Sequence, residues 1–185
     1  HVADIGFRRR PIAAVEPTTA LFHADQPRAR LSVEHDADSY KGDAGHLLLV
    51  GGFDCMEGAI MMSAMAAFEA GIGLATLMTT DTARTVIAGK IPELMTRSFP
   101  ANGGTQVVES EVRAFLEGEG RYDALVIGPG MGRTDESRAV FATVMGSLPK
   151  SGIRFALVDG DGLYHLARYL EETSLPEGVS FVITP

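Results

Sequence analysis

Three clusters of glycine and aspartate carry the residue types that ligand chemistry needs: Gly51-Gly52, the run Gly128-Pro-Gly-Met-Gly132, and Asp159-Gly-Asp-Gly162. Each follows directly on an apolar run: His46-Leu-Leu-Leu-Val50, Ala124-Leu-Val-Ile127 and Phe155-Ala-Leu-Val158. Glycine lets backbone N–H groups close on an anion, and a following helix N-terminus adds favourable potential. Asp159 and Asp161 can take a ligand hydroxyl or Mg2+, because hard cations prefer carboxylate oxygens. Asp161 equally suits the cap of the helix that follows. The Gly128–Gly132 run is not a dinucleotide fingerprint, since its third glycine comes two residues after the second and the fingerprint needs three. Alone, each cluster also reads as a plain strand exit. Three at the same end of successive strands point to a site.

Other chemistries find less support. The five histidines show no metal-ligand spacing, and His165 reads as a packed or surface residue on a helix. Cys55 has no evident histidine partner, which argues against a thiol nucleophile. Ser63 lies inside a helical stretch and not on a G-x-S-x-G elbow, which argues against a serine hydrolase. The methionines between Met56 and Met65 read as core filler.

These clusters need strands to present them. Apolar runs bounded by glycine read as buried parallel strands over 46–50, 74–78, 124–127, 155–158 and 181–183, with a weaker strand over 106–109. Between them lie helical patterns. Residues 59–70 form a Met- and Ala-rich helix, apolar on nearly every side and therefore expected to be buried. Asp81 is expected to cap a short helix through Ile87, Ser110 one carrying Val112, Phe115 and Leu116, and Thr134 one carrying Val140, Phe141, Val144 and Met145. A last helix carries Leu163, Leu166 and Leu170. The alternation predicts an α/β, doubly wound, mostly parallel sheet with helices on both faces. Residues 1–40, with Arg8-Arg9-Arg10-Pro11, Pro17 and Pro27, show no periodicity and read as a linker before a domain over 41–185. The sequence stops at Thr184-Pro185, straight after a strand that an α/β sheet would bury, so the native chain is expected to continue.

Composition narrows the class. At 185 residues and 45% apolar, the chain can bury the core of one ordinary domain. A formal charge of −8 disfavours a general nucleic-acid or membrane-surface binder. No apolar run approaches the ~20 residues of a membrane span. Cys55 is the sole cysteine, so no intrachain disulfide can form and a reducing, cytoplasmic compartment is expected.

Read in order, the motifs resemble the NAD(P)H-hydrate dehydratase domain of the YjeF C-terminal type. Lys41-Gly-Asp-Ala-Gly-His-Leu-Leu-Leu-Val-Gly-Gly52, Glu57-Gly-Ala59 and Glu69-Ala-Gly-Ile-Gly-Leu74 match its opening. Ile91-Pro-Glu-Leu-Met95, Val126-Ile-Gly-Pro-Gly-Met-Gly132, Val158-Asp-Gly-Asp-Gly-Leu163 and Ile183-Thr-Pro185 follow in the family's order. His1-Val-Ala-Asp-Ile-Gly-Phe7 is similar to the closing strand of the epimerase domain that often precedes it, which would make His1 a break inside a longer polypeptide.

The resemblance implies a ribokinase-like fold and a lyase that repairs hydrated NADH and NADPH. Its co-substrate is ADP in bacterial members and ATP in eukaryotic ones, and Mg2+ is compatible with either. Phosphorylation of the ring hydroxyl makes it a good leaving group, and elimination restores the dihydronicotinamide. Carried over by position, Ala59 and Gly130, with Gly128 and Gly132 as neighbours, are expected to contact the hydrated cofactor, and Asp159 to shape the site. The sequence departs from the pattern at Phe53, where Ser is frequent, at Gly160, and at Tyr164, where Asn is frequent. The family's histidine after Thr-Pro, and its later Gly-Thr-Gly-Asp run with the catalytic aspartate and phosphate-binding amides, would lie beyond Pro185. The segment alone is therefore expected to be inactive, with most nucleotide-binding residues outside it. A bacterial, bifunctional epimerase/dehydratase forming a homo-oligomer is expected. The alternatives are a ribokinase-like kinase acting on a vitamin precursor or another small molecule, and a non-catalytic nucleotide-binding module.

Overall fold

The computed structural model describes residues 40, 42–99, 104–118 and 121–184. The expected linker and epimerase-like tail therefore lie outside the described residues, Tyr40 apart, as does Pro185. In chain order the elements are β1 (His46–Val50), α1 (Glu57–Glu69), β2 (Leu74–Thr80), α2 (Asp81–Ala88), β3 (Met95–Phe99) and α3 (Gly104–Gly118). They continue with β4 (Ala124–Ile127), α4 (Asp135–Ser151), β5 (Phe155–Val158), α5 (Asp161–Glu172) and β6 (Ser180–Ile183). The strands pair in parallel in the order β3-β2-β1-β4-β5-β6. The chain thus winds outward from β1 to β3, then returns through α3 to start β4 beside β1 and winds the other way.

The continuous apolar run of β1 follows from this topology, because both faces of its strand are covered. Leu48 and Val50 pack with Val108 and Val112 of α3, Val140, Phe141 and Val144 of α4 and Leu166 of α5. Leu47 and Leu49 point the other way, to Ile60 and Ala64 of α1 and Ala83 and Ile87 of α2. Burying each such Leu, Ile or Val stabilises the fold by about 1.5–3 kcal/mol.

Several local expectations are corrected. Residues 106–109 lie in α3 and not in a strand, because Val108 and Val112 fall on one helical face against the core. Ser110, expected as a cap, is inside the same helix. The strand at this point of the chain is Met95–Phe99, an edge strand whose polar residues gave no apolar run. The cap of α2 is Thr80, whose hydroxyl accepts from the Ala83 N–H, and Asp81 is the acidic residue of the first turn. Helix α1 buries fully only Ile60 and Ala64, and leaves Met62 69% and Met65 54% exposed, because only its sheet-facing side finds a neighbour among the described residues. Thr134 does cap α4, accepting from the Ser137 N–H. Strand β6 is the outermost strand on its side of the sheet among the described residues, with Val182 and Ile183 about half exposed.

The β1–β4 pairing does not stop at the strand ends. Gly128 N–H donates to Val50 O at 3.0 Å, Gly52 N–H to Pro129 O at 2.8 Å and Phe53 N–H to Gly130 O at 2.8 Å. Two peptide chains this close leave no room for a side chain at Gly51, Gly128 or Gly130. Gly128 has φ +115°, and a Cβ there would lie 2.1 Å from the Asp159 carbonyl oxygen and 2.5 Å from Gly162 Cα. Both are backbone atoms and neither can swing aside. We expect Gly128→Ala to destabilise the domain by about 3 kcal/mol or more, since overpacking and a disfavoured φ add. Gly146→Ala, on the exposed side of α4 with open space around it, is expected to stabilise by about 0.5–1 kcal/mol. Urea unfolding of the two variants checks both signs, and equal midpoints would refute the packing argument.

Candidate functional site

The loops after β1 and β4 meet where the sheet reverses its winding direction, the place where open α/β sheets hold ligands. Each loop is anchored from several sides. Thr79 Oγ, fully buried in β2, donates to Gly52 O at 2.9 Å. Ser137 Oγ donates to Met131 O at 2.7 Å from the first turn of α4. Gly132 is held at both polar groups by α5: its N–H donates to Asp161 Oδ2 at 3.0 Å, and its carbonyl accepts from His165 Nε2 at 2.8 Å. The other Asp161 oxygen accepts from Arg133 Nε at 2.8 Å. Asp161 is thus a loop anchor and the first residue of α5, whose N-cap position is Gly160 and has no side-chain cap.

Beside these loops lies a hollow of about 260 Å3. Phe53, Met56, Phe99 and Met131 make its apolar walls, and Gly132, Thr134, Asp54 and Glu136 its polar ones. The Phe53 and Phe99 rings meet edge-on at 5.2 Å. Asp54 Oδ1 accepts a hydrogen bond from Thr80 Oγ at the end of β2. Among the described residues no lysine or arginine lines the hollow. Its field is therefore acidic on one side and neutral elsewhere. A second hollow of the same volume lies between α3 and α4, around Arg113 and Lys150, away from the strand ends.

The positions singled out in the sequence fall around this centre in different ways. Gly132 lines the hollow. Gly130 faces the junction of loop and helix: a Cβ there would lie 2.2 Å from the carbonyl oxygen of Met56, the residue before α1. Ala59, half-buried, sits in the first turn of that same helix. Gly128 packs against the backbone of Asp159, whose N–H donates to Ile127 O at 3.1 Å. The Asp159 carboxylate is engaged by Thr184, whose Oγ donates to Oδ1 at 2.7 Å. Both oxygens of Asp161 are taken up by the loop, while the bond from Thr184 engages one oxygen of Asp159. Among the described residues no three His, Cys, Asp or Glu side chains gather as a metal site would need. His165 is packed, as its helical position suggested: it is 2% exposed, and burial holds its pKa below the usual imidazole range. Asp54 escaped the sequence reading although it follows Gly51-Gly52-Phe53 directly, because its partner Thr80 is distant in the chain.

Comparison with known proteins follows the same stretch of chain. A family model described as NAD(P)H-hydrate dehydratase matches residues 47–185. A bifunctional NAD(P)H-hydrate repair enzyme of Moorella thermoacetica is 34% identical over 90% of this chain and 31% of its own. An ADP-dependent (S)-NAD(P)H-hydrate dehydratase of Lactiplantibacillus plantarum is 29% identical over 85% of this chain and 51% of its own. A ribokinase-like superfamily protein of Enterococcus faecalis superposes with a TM-score of 0.62 at 26% identity, covering 80% of this chain and 48% of that one. The chain thus spans between about a third and about half the length of these relatives. With a matching model over most of its length and a ribokinase-like sheet beneath its glycine loops, the chain belongs to the NAD(P)H-hydrate dehydratase family.

Proposed function

We propose that this chain carries the part of an ADP- or ATP-dependent (S)-NAD(P)H-hydrate dehydratase that receives hydrated NADH or NADPH. The observation that carries the reading is the meeting of Gly52-Phe53 with Pro129-Gly130 at the sheet's reversal point, beside a hollow with apolar walls and two carboxylates. A hydrated, reduced nicotinamide ring is uncharged and bears a hydroxyl. Apolar walls suit its faces, and Asp54 can accept from its hydroxyl. Phosphates would meet repulsion from Asp54 and Glu136, so the nucleotide's phosphates belong elsewhere. When bound, the nucleotide supplies the phosphoryl group that makes the ring hydroxyl a leaving group. The residues of this chain bind and orient the ring and keep water from it.

Similarity to bifunctional bacterial repair enzymes supports a bacterial protein with an epimerase joined to this domain. A cytoplasmic location suits a single, exposed, unbridged cysteine. Homo-oligomerisation would cover the exposed Met62 and Met65 of α1 with a second copy, and light scattering of the full-length protein checks this. Neither nucleic acid nor membrane is a partner in this reading. The acidic net charge supports the first half of that statement.

The full-length protein is expected to restore reduced-cofactor absorbance from hydrated NADPH only when ADP or ATP is present. Recovery without nucleotide would sink the reading, and a net phosphorylated product without recovered NADPH would favour the small-molecule kinase. Ala59→Leu is expected to weaken binding of hydrated NADPH by about tenfold or more, about 1.4 kcal/mol, with little change in melting temperature. Unchanged affinity in the folded variant removes Ala59 from the site.

A further inference from the structure

We propose that His165 is a positioning residue for the ligand loop, holding the Gly132 peptide by donation from Nε2 to its carbonyl oxygen. The proposal rests on the functional reading above. It begins from an apparent defect. A carbonyl oxygen only accepts, so the 2.8 Å contact fixes the proton on Nε2. That leaves Nδ1 as a bare acceptor, buried and without a hydrogen-bond partner among the described residues. Burying an unpaired acceptor is costly, and a leucine would fill much the same space without that cost. The imidazole is therefore explained by what its other nitrogen does.

The geometry around that nitrogen is specific. Asp161 and His165 are four residues apart on α5, hence neighbours on one face. They take the N–H and the C=O of the same residue, Gly132. Gly132 stands at φ +71°, where glycine's freedom is greatest and an outside hold on the peptide matters most. Two rings flank the imidazole in turn, Phe141 of α4 tilted at 5.8 Å and Tyr164 edge-on at 5.5 Å between centroids. Upstream, Gly130 O accepts from Phe53 N–H, so the segment from Gly130 to Gly132 is tied at both ends, one to β1's loop and one to α5. Gly132 is a wall of the hollow. Turning its peptide would change the shape offered to the ligand without unfolding the domain.

The charged groups that act on His165 are Asp161 and Arg168 on its own helix and Arg133 on the loop. Burial keeps the ring neutral, and charging it would place Nδ1–H where no acceptor waits, beside Arg133 and Arg168. Because the folded-state pKa is lowered, protonating the ring costs stability as pH falls below the ordinary imidazole value, while Nε2–H donates to Gly132 in either protonation state.

The test uses the full-length protein, hydrated NADPH as probe, and the variants His165→Gln, whose amide can donate from the Nε2 position, and His165→Leu, which cannot. His165→Leu is expected to raise KM about tenfold or more with kcat within about twofold, the split of a lost binding pose. His165→Gln is expected to recover most of the affinity, because its amide restores the donor at the Nε2 position. Hydrogen exchange at the amides of Gly132 and of Arg133, whose N–H shares a peptide plane with the Gly132 carbonyl, reads the clamp without any ligand, and is expected to quicken in the Leu variant and not in the Gln variant. Should the Leu variant fail to fold, His165→Asn, too short to reach Gly132, takes its place. Unaltered exchange, an unaltered KM, or a Gln variant as poor as the Leu variant each overturns the proposal. A wild type that does not turn over hydrated NADPH overturns the functional reading and the ligand role together, and the exchange data then show whether the clamp itself stands.

Discussion

Everything at the candidate site depends on how closely two stretches of backbone approach after β1 and β4. Hydrogen bonds that pair the strands run on into Gly52, Phe53, Gly128 and Gly130, so the loops are a continuation of the sheet rather than appendages to it. That continuation demands residues without Cβ at Gly51, Gly52, Gly128 and Gly130 and tolerates there backbone angles that side chains disfavour. The glycines are thus spent first on bringing the chain together, and only then on what a ligand might meet. This order of causes separates two readings of a glycine-rich loop that sequence alone leaves merged.

The supports of the loops come from one side. Helices α4 and α5 supply Ser137, Asp161 and His165, each gripping a backbone group of Met131 or Gly132. The β1 loop instead leans on its neighbour strand through Thr79 and Thr80. The result is a hollow with one wall pinned to helices and the other to the sheet. Its acidic and apolar lining favours a neutral hydroxylated ring over a phosphate, which fits a division of labour in which the nucleotide's phosphates are met by other residues.

Much of this was legible in the residues. β1, β4 and β5 could be read because a parallel sheet covered on both faces writes itself as an uninterrupted apolar run. β3 could not, because Met-Thr-Arg-Ser-Phe at an edge carries only a faint alternation, while Val107-Val108 imitates a strand inside a helix. The methionines of α1 read as core, yet a pattern apolar on all sides says nothing about how many neighbours are there to cover it. At the site the glycines were visible, since their backbone role is local. Asp54 with Thr80, and Asp161 with Gly132, were not, because each pair joins different crossovers. His165 was seen as packed but not as a donor, for the same reason.

The pairing of β1 with β4 has a consequence for how the molecule comes into being. His46 N–H and Asp123 Oδ2 are 77 positions apart, and they close the lower end of the same pairing that carries the site at its upper end. A nascent chain that has made β1, β2 and β3 has the first loop complete, yet the amides of Gly52 and Phe53 still await their acceptors. Contacts of such long sequence separation cost loop-closure entropy before they return any stabilisation, and parallel sheets fold slowly for that reason. The ligand hollow is accordingly a late product of folding, formed in the same step that joins the two halves of the sheet.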